Sequence, residues 1–164
     1  MRVLVAVASK HGSTMEIARM LGTSLTLRKI ETDVVPVGSV ASLEEYDAVV
    51  LGSSVYMGHW LEPARLFAGE HADELLQRPV WLFSSGPLGD PARPAEDPAY
   101  AANLVEMTDA REHRVFGGSL WKEDLGIAER AMVAAVGAPE GDFRPWAEID
   151  EWAGQIADAL TTSD

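Results

Sequence analysis

The stretch ASKHGSTMEIAR, residues 8–19, places three hydroxyl side chains, a lysine, a histidine and one glycine between an apolar run and a helical pattern. Gly12 allows a tight turn, and Ser13 or Thr14 can cap the helix that follows. The first amides of a helix have no partner within it, and together with the helix dipole they favour an anion. The stretch therefore predicts either a phosphate-binding turn or an ordinary helix cap after a strand.

Two common phosphate-binding motifs do not fit this turn. A dinucleotide-binding turn has the pattern G-x-G-x-x-G, and a triphosphate loop has the pattern G-x-x-x-x-G-K-[ST]. The turn has one glycine, and its lysine does not precede a hydroxyl residue. A monophosphate group is therefore the ligand that the turn matches better.

Alternating strands and helices are predicted around this turn. Apolar runs rich in valine and leucine predict parallel strands buried on both faces, at Val3–Ala8, Asp33–Val37, Ala48–Ser53 and Val80–Ser84. A fifth strand is predicted at Val115–Leu120, and helices at Thr14–Leu27 and Tyr100–Met107, with a short helix between the second and third strands. The alternation predicts an open, doubly wound α/β sandwich in one domain, residues 1–164.

The C-terminal segment DFRPWAEIDEWAGQIADAL predicts the last helix, with a proline near its start. Its apolar residues recur at helical spacing and predict one stripe that packs on the sheet: Trp146, Ile149, Trp152, Ile156 and Leu160.

The turn resembles the first loop of the flavodoxins, which has the pattern [ST]-x-x-[AGC]-x-T-x-x-x-A-x-x-[LIV]. The matching residues are Ser9, Gly12, Thr14, Ala18 and Leu21. In that family the loop wraps the phosphate group of FMN, so the resemblance implies phosphate contacts from residues 9–14. It also implies the flavodoxin-like three-layer sandwich with a five-stranded parallel sheet.

If this resemblance holds, the loops after the third and fourth strands, GSSVYMGHW and SSGPLGD, bind the flavin ring, because ligands of such sheets lie outside the carboxyl ends of the strands. A flat ring needs an aromatic or apolar surface and backbone hydrogen bonds along its edge. Tyr56 and Met57 can supply the surface. Trp60 either stacks on the ring or packs into the core, and His59 is interpreted as a cap or surface group.

The segment SVYMGHW, residues 54–60, resembles the menaquinone-dependent protoporphyrinogen IX dehydrogenase group and its flavodoxin-domain relatives. The segments VFGGSL and GDFRPW are also similar to later parts of that group, and the likeness runs from Val3 to Leu160. After the fourth strand, DPARPAEDPAY and LWKEDLG are mixed or acidic where the group is basic.

Composition excludes several classes of function. Thirteen basic and 26 acidic residues give a formal charge of -13, which disfavours nucleic acid and anionic membrane surfaces as partners. The absence of cysteine excludes disulfides, thiol catalysis and cysteine-held clusters, so redox chemistry needs a bound organic cofactor. No apolar run approaches the roughly 18 residues of a membrane span, and we expect a cytoplasmic protein without integral membrane association.

Other chemistry-bearing residues do not form a recognisable site. Paired carboxylates are adjacent in sequence and diverge by about 100° on a helix, which predicts solvated faces. The four histidines lack metal-ligand spacing, and we predict no metal site. The sequence FSSG lacks the leading glycine of a nucleophile elbow, so Ser84 and Ser85 are not predicted nucleophiles.

These observations predict an FMN-binding flavodoxin-like redox protein, with no catalytic residue identified. Phosphate contacts are predicted for Ser9, Lys10, His11, Gly12, Ser13 and Thr14. Contacts with the ring and ribityl chain are predicted for Ser54, Val55, Tyr56, Met57, Gly58, Ser85, Gly86, Pro87 and Leu88.

Three functions stay open at this stage. An oxidoreductase, with a small molecule or quinone as acceptor, is favoured by SVYMGHW and by the long segment Pro87–Arg114, which with Trp121 can wall a pocket above the flavin. An electron carrier that serves a redox partner protein is favoured by the acidic charge. A flavin-free α/β binding module is the third alternative.

Overall fold

The computed structural model describes residues 1–56, 58–86, 99–120, 126–136 and 141–162. Its strands are β1 Arg2–Ala8, β2 Glu31–Pro36, β3 Ala48–Tyr56, β4 His59–Trp60, β5 Val80–Ser85, β6 Glu112–Phe116, β7 Ser119–Leu120 and β8 Gly141–Asp142. Its α-helices are α1 Ser13–Leu27, α2 Glu62–Glu70, α3 Ala72–Leu75, α4 Ala99–Thr108, α5 Ile127–Val136 and α6 Trp146–Thr161.

The main sheet has the order β2-β1-β3-β5-β6, with every neighbouring pair parallel. The short strand β4 pairs antiparallel with the end of β3. The chain moves from β1 outward to β2 and then returns to β3 on the other side of β1. The carboxyl ends of β1 and β3 therefore form the switch point at which doubly wound sheets bind ligands.

Side chains of β1 alternate between two buried clusters. Val3, Val5 and Val7 pack with α1 and α6 on one face, and Leu4 and Ala6 pack with residues of α2 on the other. A central strand covered by helices on both faces has no solvent side, which explains its continuous apolar sequence. The predicted α/β sandwich with a parallel sheet is confirmed.

The predicted fifth strand, Val115–Leu120, is wrong in its bounds, because β6 begins at Glu112 and ends at Phe116. As the edge strand of the sheet, β6 has a neighbour on one side and keeps four half-buried residues, so polar side chains are tolerated there. Directly after β6, the backbone of Gly117 lies so close to the Phe143 carbonyl oxygen that a side chain would not fit there. Ser119 and Leu120 instead pair with β8 in a separate two-stranded sheet.

Two helical predictions also need correction. The segment between β2 and β3 contains a 3₁₀ turn, Val37–Ser39, where a short α-helix was expected. In α6 the other four stripe residues are buried, but Trp146 is 36% exposed, with the Arg144 guanidinium carbon 4.6 Å from its ring centroid. A cation over the ring lets this indole remain at the surface.

The irregular segment predicted at Pro87–Arg114 is only partly described. Residues 87–98 and Trp121 lie outside the described residues, and the remainder contains α4 and the start of β6. Within the described ranges, no helix is both long and apolar enough to span a membrane.

Candidate functional site

Residues 9–14, called the first loop here, connect β1 to α1. Gly12 has φ +86°, in the left-handed region that glycine adopts without strain, and its amide donates to Ser9 Oγ at 3.1 Å. No side chain caps α1, and the amides of Lys10, His11, Ser13 and Thr14 meet no acceptor within the described residues. The expected Ser13 or Thr14 cap is therefore wrong, and the loop presents unpaired amides that suit an anion.

Thr14 connects the first loop to the end of β3. Its side chain is 1% exposed, and its Oγ1 lies 2.7 Å from Ser54 Oγ. This hydrogen bond between buried Thr14 and half-buried Ser54 restrains both side chains, because leaving the buried hydroxyl unpaired would cost free energy. Two predicted site residues that are distant in sequence thus meet at the β1/β3 switch point.

Lys10 and His11 carry the basic side chains of the first loop. Glu129, on α5, places Oε2 2.9 Å from His11 Nε2 and 3.5 Å from Lys10 Nζ. The hydrogen bond from His11 lowers the pKa of Glu129 below its ordinary value, and Lys10 adds to the same direction. The first loop therefore holds an ionised carboxylate beside its two basic residues.

The second loop is a β-hairpin in which Tyr56 pairs with His59 around Gly58, at φ +78°. Met57 lies outside the described residues. The Lys10 ammonium lies 3.8 Å from the centroid of the Tyr56 ring, so the aromatic face reaches the first loop. The Val55 side chain instead packs against the cluster beneath α2.

Trp60 belongs to the core. It is 1% exposed, and its indole Nε1 donates to Ser84 Oγ at 2.7 Å. An indole N–H can only donate, so Ser84 Oγ accepts from Trp60, and the same oxygen is hydrogen-bonded to His113 Nε2, also at 2.7 Å. Of the two alternatives for Trp60, packing into the core is the observed one.

The ends of β5 and β6 approach the second loop closely. Ser85 is paired with Ser54 in the sheet, and Gly86, at φ +117°, donates its amide to the Phe116 carbonyl at 3.3 Å. A Cβ atom on Gly118 would lie 3.0 Å from Gly86 Cα, so glycine permits this backbone contact. Pro87 and Leu88 lie outside the described residues.

The two-stranded sheet of β7 and β8 contacts the start of α1. The Ser119 amide donates to Ser13 Oγ at 3.3 Å, and Arg144 pairs with Glu16 at 2.9 Å and Asp142 at 2.7 Å. The hydrogen bond with Asp142 is the largest cause of a raised pKa of the Arg144 guanidinium, and the hydrogen bond with Glu16 acts in the same direction. Sequence reasoning missed Glu129, Ser119 and Arg144 as neighbours of the loop, because no local pattern connects residues more than 100 positions apart.

The strand order, the left-handed glycine and the unpaired amides at the switch point define a flavodoxin-like α/β domain. The chain belongs to the flavodoxin domain family, whose model matches residues 4–144.

Similar proteins agree with this assignment. The protoporphyrinogen IX dehydrogenase [quinone] of Escherichia coli strain K12 is 25% identical over 172 aligned positions, which cover 96% of this chain and 95% of the relative. A flavodoxin from the domain Archaea has a TM-score of 0.68 at 18% identity, covering 98% of this chain and 99% of its own. Oxidised flavodoxin 2 from Bacillus cereus has a TM-score of 0.62 at 22% identity, with complete coverage of both chains.

The protein is thus an FMN-binding redox protein of the flavodoxin family. The residues present fit the phosphate of FMN, because the first loop offers unpaired amides and, apart from the neighbours of Gly12 in the chain, no described atom lies within 4 Å of a Cβ built at Gly12. Hydroxyls of Ser9, Ser13 and Thr14 lie in the same loop. When bound, FMN supplies the redox chemistry through its ring, and the protein supplies binding and electrostatics.

Proposed function

We propose that this chain is an FMN-dependent oxidoreductase that transfers electrons to a small-molecule acceptor of the quinone class. The observation that carries the proposal is the relative named as a quinone-linked protoporphyrinogen IX dehydrogenase, which aligns with nearly the whole of both chains.

The proposed site assigns the phosphate to the first loop. Backbone amides of Lys10, His11, Ser13 and Thr14 donate to the phosphate oxygens, together with the Ser9 and Thr14 hydroxyls, and the dipole of α1 adds to the attraction. Gly12 is required there because its φ of +86° is unfavourable for residues with a side chain.

The proposed ring site lies between the second loop and the end of β5. Tyr56 supplies an aromatic surface, and the backbone around Gly58 and Gly86 supplies hydrogen bonds to the ring edge. Both glycines have positive φ, which turns the chain sharply at the strand ends. Ser54, paired in the sheet with Ser85, lies between the two loops and serves the ribityl chain.

An electron carrier is the second candidate. The formal charge of -13 favours it, because an acidic surface attracts a basic partner protein and accelerates encounter at low ionic strength. A carrier needs no pocket for a small molecule, whereas an oxidoreductase needs one beside the flavin.

The two candidates differ in how the reduced protein reacts with small and large acceptors. FMN-loaded protein, reduced with dithionite without air, is mixed in a stopped-flow instrument with menadione or with cytochrome c. An oxidoreductase binds the quinone before electron transfer, so the reoxidation rate saturates as menadione concentration rises. A rate that stays linear with menadione, together with fast cytochrome c reduction that slows steeply with salt, would support the carrier instead.

A further inference from the structure

Glu129 is a carboxylate from outside the predicted site that contacts both basic residues of the first loop. Its Oε2 lies 2.9 Å from His11 Nε2 and 3.5 Å from Lys10 Nζ. The Glu129 side chain is 17% exposed, against 38% for Lys10 and 34% for His11. The carboxylate is therefore the most enclosed member of the group, where water screens its charge least.

Lys10 is restrained on a second side. Its ammonium lies 3.8 Å from the Tyr56 ring centroid while it pairs with Glu129. Both contacts are favourable for a cation, so Lys10 is held at the first loop and does not extend freely into water. The same ammonium stands between the proposed phosphate site and the proposed ring site.

We propose that Glu129 is an internal competitor of the FMN phosphate for Lys10 and His11, and that it thereby sets how strongly the first loop prefers FMN to riboflavin. A phosphate carries nearly two negative charges at pH 7, and an adjacent carboxylate repels it while occupying the Lys10 ammonium and the His11 imidazole that would otherwise attract it. Both effects weaken phosphate binding, and neither acts on riboflavin, which has no phosphate. The inference rests on FMN binding at the first loop.

The competition also couples the cofactor to α5. Glu129 provides the contacts that connect α5 to Lys10 and His11 in the described residues. A bound phosphate that attracts the Lys10 and His11 side chains weakens their contacts with Glu129. Binding of FMN therefore loosens the attachment of α5 to the first loop, whereas riboflavin leaves it in place.

The test compares Glu129→Gln with the wild type in titrations of FMN and of riboflavin, followed by quenching of flavin fluorescence at low salt. We expect the Kd for FMN to fall about 2- to 5-fold and the Kd for riboflavin to change less than twofold. Glu70→Gln removes the same charge from an exposed residue at the far end of α2, and it should leave both constants unchanged.

A further variant checks that the gain acts through the lysine. In a Lys10→Met background, Glu129→Gln should improve FMN binding less than it does in the wild type, because the release of Lys10 is missing while the release of His11 and the loss of direct repulsion remain. Glu129→Ala should change FMN binding in the same direction as Glu129→Gln, and thermal unfolding by circular dichroism shows whether each variant folds.

Several results would overturn the proposal. An unchanged or weaker affinity of Glu129→Gln for FMN would mean that Glu129 only ties α5 to the loop. An equal gain for riboflavin, or for Glu70→Gln, would mean that the phosphate is not the group being repelled. If the wild type binds FMN and these results appear, only this inference fails, whereas absence of FMN binding in every variant would also remove the proposed function.

Discussion

At the scale of single residues, the buried Thr14 hydroxyl is the group on which the proposed phosphate site depends most. Its hydrogen bond with Ser54 Oγ, at 2.7 Å, can run in either direction. If Ser54 donates, the Thr14 hydroxyl keeps its own proton for a phosphate oxygen. The pair therefore orients Thr14 for an anion at the first loop.

This geometry gives a prediction for Thr14→Val, which keeps the shape of the side chain and removes the hydroxyl. We expect FMN binding to weaken by about 1–3 kcal/mol, the cost of a lost hydrogen bond to a charged group. Thr14→Ser retains the hydroxyl and should bind FMN nearly as the wild type does. Fluorescence titration measures both, and an unchanged affinity of Thr14→Val would remove Thr14 from the site.

Residues of the first loop could be predicted because their pattern is local: a hydroxyl, a glycine and a threonine within six positions, directly after an apolar run. Glu129 could not be predicted, since it lies 118 positions from His11 and its sequence neighbours suggest only a surface helix. Its place at the loop depends on the path of the chain after β6, which short-range periodicity does not specify.

At the scale of elements, β5 connects the second loop to the edge strand through side-chain hydrogen bonds. Ser84 Oγ accepts from the Trp60 indole and is hydrogen-bonded to His113 Nε2, each at 2.7 Å. The bonds join β4, β5 and β6 on one face of the sheet. The hairpin that carries Tyr56 is thereby attached to the centre of the fold.

Removal of this hydroxyl tests the connection. Ser84→Ala leaves the buried Trp60 N–H without its acceptor, and we expect the free energy of unfolding in urea to fall by about 1–3 kcal/mol. The exposed Ser39, in the 3₁₀ turn, offers a matched control, and Ser39→Ala should have little effect. Equal stability of Ser84→Ala and the wild type would show that the network contributes nothing measurable.

Elements with continuous apolar sequence were predicted well, and those stabilised by particular contacts were not. The buried strands β1, β3 and β5 follow directly from their valine and leucine content. Strand β6 was misplaced because an edge strand tolerates polar residues at its start. The sequence predicts a loop where β3 and β4 form a hairpin, since Gly58 alone does not distinguish the two.

At the scale of the whole molecule, ion pairs hold surface segments to the sandwich and make its stability depend on pH. Hydrogen bonds from basic partners lower the pKa of four carboxylates, Glu74, Glu129, Asp142 and Asp150. A carboxylate with a lowered pKa stabilises the fold above its unfolded value, about 4, and loses that contribution as pH falls through its folded value.

We therefore expect the urea midpoint to stay nearly constant between pH 7 and 5 and to fall below about pH 4. Protonation relieves the repulsion that the charge of -13 causes at pH 7, but further acidification leaves a net positive chain and restores repulsion. Asp142→Asn removes the carboxylate that pairs with Arg144 at 2.7 Å, so the urea midpoint of this variant should decrease less steeply with falling pH. A urea midpoint that increases as the pH is lowered below 4 would contradict this account.

The most direct test of the central claim is the absorption spectrum of the whole protein, purified with added FMN and then desalted. An FMN-binding flavodoxin-family protein retains the cofactor, so the account predicts the yellow flavin bands in the protein fraction and their loss on denaturation. A colourless protein that also fails to quench FMN fluorescence would contradict it, and the first loop would then be a strand-to-helix turn without a cofactor.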